Sequence, residues 1–196
     1  MPAVTDRALW RRAAGGEAEA FGEIYERHAN VIYNFCFRRT ADWALAEDLT
    51  ATVFLEAWRK RRRVVFDDED AVRPWLFGVA NNVIRNEARR HRRFARALAG
   101  LAAPRPAPDS SERAADAVEM RRILAAVREL PRREQDVLAL CVFADLSYAD
   151  AALALGVPDG TVRSRLARAR NRLGELSPER GHERTDGPSS LPRTSS

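Results

Sequence analysis

The sequence predicts an all-α protein: two small helical domains joined by a flexible linker. Three observations carry that expectation. Apolar residues recur at i, i+3 and i+4 in two stretches, with no alternating strand pattern between them. A proline-rich break separates the stretches. Positive charge is gathered into two arginine-rich segments.

Of the 196 residues, 45% are hydrophobic, enough to fill a core, and 31% are charged with a formal net charge of +5. Only Lys60 is a lysine, so 32 of the 33 basic residues are arginines. The organisation reads as an N-terminal extension (1–16), a first helical domain (17–96), a Pro/Ala-rich linker (97–115), a second helical domain (116–176) and a disordered tail (177–196).

In the first domain, Phe21, Ile24, Tyr25, His28, Ile32 and Phe35 follow one helical face. Leu45, Leu49, Val53 and Trp58 mark a second helix, which Asp42 suits as N-cap. The basic run from Arg59 to Arg63 closes it, where cations suit the helix dipole. A third helix begins at about Ala71 to Pro74 and carries Leu76, Val79, Val83 and Ile84. The linker holds Pro104, Pro106 and Pro108, which favour semi-extended chain. In the second domain, LSYADAALALGVP (residues 146–158) reads as a helix, a glycine turn and a new helix. Gly156 suits a left-handed helix end and Pro158 the first turn of the next, which is the helix-turn-helix layout.

Residues 85–96 (RNEARRHRRFAR) and residues 161–173 (TVRSRLARARNRL) each carry a net charge of +5, leaving the remaining chain at −5. Two such concentrations in an otherwise acidic chain point to nucleic acid, with phosphate contacts giving salt-sensitive affinity. At 100° per residue, Val162, Leu166, Ala169 and Leu173 form one stripe that should face the core. Ser164, Ala167, Arg168 and Asn171 fall opposite, aimed at base edges. Arg163, Arg165, Arg170 and Arg172 flank that face, where phosphates would lie.

Several classes are disfavoured. No stretch approaches the roughly 18 apolar residues of a membrane span. The N-terminus lacks the apolar core of a signal peptide, so a reducing cytoplasm is expected. Cys36 and Cys141 lie far apart in apolar surroundings, which argues against a disulfide framework. His28, His91 and His182 are scattered, and Asp67, Asp68, Glu69 and Asp70 read as a solvated loop. No metal, cofactor, catalytic residue or small-molecule substrate is expected.

LPRREQDVLALCVFADLSYADAALALGVPDGTVRSRLARARNRL (residues 130–173) closely resembles region 4 of the extracytoplasmic-function sigma factors of bacterial RNA polymerase. Residues 21–60 (FGEIYERHANVIYNFCFRRTADWALAEDLTATVFLEAWRK) resemble their regions 2.1 and 2.2, and residues 73–93 (RPWLFGVANNVIRNEARRHRR) regions 2.3 and 2.4. The resemblance implies a subunit that binds core RNA polymerase, at the β′ clamp helices and the β flap, and directs initiation at promoters. It places polymerase docking on Glu47, Asp48, Leu49, Phe54, Glu56 and Trp58, although at least one of Phe54 and Trp58 should be core.

By the same resemblance, −10 contacts fall on Asn82, Arg85, Asn86, Arg89, Arg90, Arg92 and Arg93, with Asn82 alternatively a helix-packing polar group. Trp75 and Phe77 read as core. For the −35 element the resemblance matches Arg163, Ser164, Ala167 and Arg168, and with the helical wheel the expected contact set is Thr161, Arg163, Ser164, Arg165, Ala167, Arg168, Asn171 and Arg172. An anti-sigma factor is implied as a further partner, with no direct membrane insertion. Ala51 and Ala151 depart from the residues usual in the family. The competing reading is a stand-alone helix-turn-helix repressor, which would bind a palindromic site without polymerase.

Overall fold

The computed structural model describes residues 4–97 and 111–176. Eight α-helices run in the order α1 (Asp6–Ala14), α2 (Ala18–Thr40), α3 (Trp43–Lys60), α4 (Val72–Ala97), α5 (Ser111–Arg128), α6 (Arg132–Leu138), α7 (Tyr148–Leu155) and α8 (Asp159–Leu176). A π-helical turn, Ala139–Phe143, continues α6. The described residues include no strand.

The first helical domain is built from α1 to α4. Asp42 caps α3 as expected, its carboxylate accepting from the Leu45 amide at 3.0 Å. Ile24, Ile32, Phe35, Val53, Leu76 and Phe77 make the shared core of α2, α3 and α4. Pro74 falls in the first turn of α4, where its missing N–H has no intrahelical partner to lose.

The segment read as an N-terminal extension is part of this domain. The Thr5 hydroxyl caps α1 by accepting from the Ala8 amide, and Leu9, Trp10 and Ala13 turn inward. Trp10 donates its indole N–H to the Val64 carbonyl at 2.9 Å and meets Phe66 and Trp75 edge-on, at 5.2 and 5.0 Å between centroids. Asp6 binds the buried His28 ring and the Arg27 guanidinium.

The first turn of α5 lies inside the 97–115 linker. Residues 98–110 of that linker, the tail at 177–196 and residues 1–3 lie outside the described residues. In region 4, Ser147 caps α7, accepting from the Asp150 amide at 3.1 Å. Gly156 ends it at φ +63°, the left-handed conformation that glycine adopts without a Cβ penalty. Pro158 stands just before α8 rather than in its first turn, its carbonyl accepting from Thr161 and Val162.

The two domains touch. α4 packs along α7, and Gly78 lies at a close approach: a Cβ there would sit 2.5 Å from the Ala154 carbonyl oxygen. Arginines of the first domain donate to backbone carbonyls of the second. Arg38 reaches Phe143 at 2.8 Å, Arg73 reaches Ala144 at 3.3 Å and Arg39 reaches Gln135 at 3.2 Å. Phe143 and Ala144 end the α6 and π-turn unit, where carbonyls lack intrahelical donors, so these cations cap a helix from the neighbouring domain. Both cysteines are free; burial pushes the Cys36 thiol up to about 12.

Candidate nucleic-acid interface

Helix α8 sorts its residues by face. Val162, Leu166 and Ala169 are fully buried and Leu173 partly so, which anchors the helix on α6 and α7. Ser164, Ala167, Arg168 and Asn171 are exposed together on the far side, with Arg163, Arg170 and Arg172. Thr161 and Arg165 are half-buried at the edge, and the Ser164 hydroxyl donates to the Thr161 carbonyl.

The flanking arginines are not equivalent. Arg172 donates twice to Glu134, at 3.0 and 2.9 Å, and Arg168 comes within 4.0 Å of the same carboxylate. Glu134 is buried, its side chain 7% exposed. Arg172 therefore fastens α8 to α6 before it meets any phosphate. Arg163 pairs with Asp159 at 2.9 Å and lies over the Tyr148 ring. Arg170 has no salt-bridge partner among the described residues.

On α4, Asn82, Asn86, Arg89, Arg90, Arg92 and Arg93 are exposed, at and beyond the part of the helix that packs in the core. Arg90 grips Glu87 with two hydrogen bonds of 2.9 Å, which raise its pKa. Arg85 instead turns toward region 4, where it faces Asp136 at 3.4 Å. Neighbouring Asn81, absent from the sequence-based set, is buried and its side-chain oxygen has no partner among the described residues.

The α3 residues expected to dock on polymerase separate. Glu47 and Asp48 are exposed, Glu56 is half-buried and pairs with Arg59, and Trp58 is covered by the Arg61 guanidinium at 3.4 Å. Leu49 and Phe54 point into the core, so their contribution is to hold α3 in place. Leu55, outside the sequence-based set, shares the exposed face of Asp48, Ala51 and Thr52 and is 47% exposed. Its signal was the i, i+3, i+4, i+7 spacing from Asp48. Beside that face, α2 and α3 border an open groove of about 520 Å³ lined by Tyr25, Tyr33, Glu47 and Ala51. No pattern in the sequence could have revealed Arg38, Arg39 and Arg73, because their acceptors are carbonyls of a distant segment.

Comparison with known proteins accounts for both halves. Residues 24–94 match the family model for sigma-70 region 2, and residues 120–173 that for sigma-70 region 4. The chain is 31% identical over 179 residues to the RNA polymerase sigma factor NccH of Alcaligenes xylosoxydans xylosoxydans, covering 87% of this chain and 94% of that protein. It is 34% identical over 156 residues to the ECF RNA polymerase sigma factor SigL of Mycobacterium tuberculosis, covering 79% and 86%.

Among solved structures it resembles CnrH in complex with the cytosolic domain of CnrY, with a TM-score of 0.65 and 26% identity over 87% of this chain and 96% of that one. It also resembles the sigma factor RpoE in complex with the anti-sigma factor NepR from Bartonella quintana, with a TM-score of 0.59 and 26% identity over 80% and 95%. Two family models in the right order, full-length relatives and the helix-turn-helix geometry agree: the chain belongs to the extracytoplasmic-function sigma factors of the sigma-70 family.

Proposed function

We propose that this sigma factor, which directs promoter-specific transcription initiation, divides the work among three surfaces. The exposed face of α3, with Glu47, Asp48 and Leu55, and the groove beside it dock on core polymerase at the β′ clamp helices. The β flap is assigned to region 4 by resemblance. The basic end of α4 holds the −10 element, with Asn82 and Asn86 toward bases and Arg89, Arg92 and Arg93 toward phosphates. The outward face of α8 reads the −35 element in the major groove, Arg168 by a fork onto guanine and Ser164, Ala167 and Asn171 beside it.

The observation that carries the reading is the pairing of two separate basic helices, each on its own domain. A repressor would need only α7 and α8 and would leave α1 to α4 without a task. Bond chemistry is left to the polymerase. The RpoE neighbour was solved with the anti-sigma factor NepR, and an anti-sigma factor is proposed as a partner here too. No described helix is long and apolar enough to cross a membrane; a cytoplasmic site of action follows from the polymerase partner.

The test is run-off transcription with purified core polymerase from the gene's own upstream region. A discrete transcript that requires this chain is expected, together with retention of core in a pull-down. Tight binding of the chain alone to a symmetric duplex, with no retained core, would favour the repressor.

A further inference from the structure

Where region 2 meets region 4, helices α2, α4 and α6 border a cleft of about 70 Å³ lined by Arg39, Arg85, Arg92, Arg132, Gln135 and Asp136. Arg39 and Arg85 face its one carboxylate, Asp136, while the exposed Arg92 and Arg132 complete the lining. Asp136 is itself buried, and it satisfies the arginines poorly. It lies 3.7 Å from Arg39 and 3.4 Å from Arg85, beyond the 2.7–2.9 Å (roughly) of a good charge-assisted hydrogen bond.

The donors left over are specific. The Nε of Arg85 is buried with no hydrogen-bond partner among the described residues. The Arg39 side chain is 9% exposed, and beyond Asp136 its partner across the interface is the Gln135 carbonyl at 3.2 Å. Burial and the nearby Arg85 pull the Arg39 pKa down against the attraction of Asp136. Desolvation, then the charges of Arg132, Arg96 and Arg89, do the same to Arg92. Buried positive charge in excess of its counter-charge is costly, and an unmet guanidinium N–H adds to that cost. A cavity of this size is several times what one water requires. A tetrahedral oxyanion would bring the acceptors that one carboxylate lacks, in the fork geometry guanidinium groups match.

We propose that this interdomain cleft is an anion site that takes a phosphate group. The ligand chemistry has two sources, a free phosphate or phosphate monoester and a phosphodiester of the nucleic-acid backbone. Because Arg39, Arg85 and Arg92 come from region 2 and Arg132 from region 4, the complete site exists only while the domains are together. The site stands on the geometry of the free chain and needs no polymerase or promoter, so it is tested without them.

The experiment is calorimetric titration of the full chain in chloride buffer at fixed ionic strength, with inorganic phosphate in one arm and a short oligothymidylate in the other. Arg132→Gln is the informative variant: Arg132 is exposed, so the fold survives, and it lies outside the residues assigned to promoter or polymerase. Arg11→Gln, an exposed position on α1, removes the same charge elsewhere. Saturable phosphate binding weakened at least tenfold by Arg132→Gln and less than twofold by Arg11→Gln is expected, and identifies free phosphate as the source. The same pattern with the oligonucleotide alone supports the site with the backbone as the source. Equal losses in the two variants, or no dependence on Arg132 in either arm, overturns the proposal.

Discussion

Arg168 and Arg172 sit one turn apart on α8 and share one carboxylate, yet their distances to Glu134 assign them different work. Arg168, at 4.0 Å and exposed, is free to leave for a base edge; Arg172, doubly bonded at about 3 Å, is not. Arg168→Ala should therefore relax −35 specificity at one base pair by roughly 1–3 kcal/mol while leaving stability unchanged. Arg172→Ala should leave the buried Glu134 with only the distant Arg168 as a charge partner, costing about 1–2 kcal/mol of stability because Arg172 itself is half exposed. Binding to a panel of −35 variants and urea unfolding of the full chain separate the two effects.

The helical wheel made the exposed face of α8 legible from sequence. Glu134 was not, since it lies 38 residues from Arg172. Asp6 supplies a pH test at the same scale. The His28 hydrogen bond, aided by Arg27 and opposed by burial, holds the Asp6 carboxyl below its ordinary value. A depressed folded pKa gives stability that is present above the unfolded value and lost as pH falls through the folded one. The stability gap between the wild type and Asp6→Asn should therefore be full at pH 7 and close as pH falls below about 4, the ordinary aspartate range. Urea midpoints across that range measure it.

Elements were legible where the chain announces its own boundaries. Asp42 before α3, Pro74 in the first turn of α4 and Gly156 between α7 and α8 each mark an end by local chemistry, and each element was expected from them. From sequence alone, residues 1–16 read as an N-terminal extension. The evidence for α1 was present in Thr5 as a cap and in the spacing of Leu9, Trp10 and Ala13, but only packing against Val64, Phe66 and Trp75 shows that it completes the core. The first turns of α5 were lost to the composition of the linker before them. Trp43 donates its indole N–H to the Arg113 carbonyl, a tie between α3 and α5 that composition does not report. If α1 is a core element, Trp10→Ala should destabilise region 2 by about 3–5 kcal/mol, the usual cost of emptying a buried aromatic site. A dispensable extension would show no change in thermal unfolding followed by circular dichroism.

At the scale of the molecule, the question is reach. Elements centred near −35 and −10 lie about 25 base pairs apart, or about 85 Å at 3.4 Å per step. In this structure α4 packs on α7 and α7 on α8, and neighbouring helix axes lie roughly 8–10 Å apart. The two helices proposed to read DNA are therefore far too close to hold both elements of a straight duplex at once. Promoter binding requires that α4 and α7 separate.

Gly78 is the position that tests this. Its missing Cβ is what lets α4 approach the Ala154 carbonyl, and because the opposing atom is backbone at 2.5 Å, a methyl there cannot be absorbed by a side-chain shift. Alanine is also the better helix former by about 1 kcal/mol, so region 2 should not suffer. Gly78→Ala should thus leave the helical content intact while increasing the radius of gyration in small-angle scattering, with run-off transcription preserved. A radius equal to that of the wild type would mean that the domains re-dock around the methyl group, and that this close approach does not govern closure.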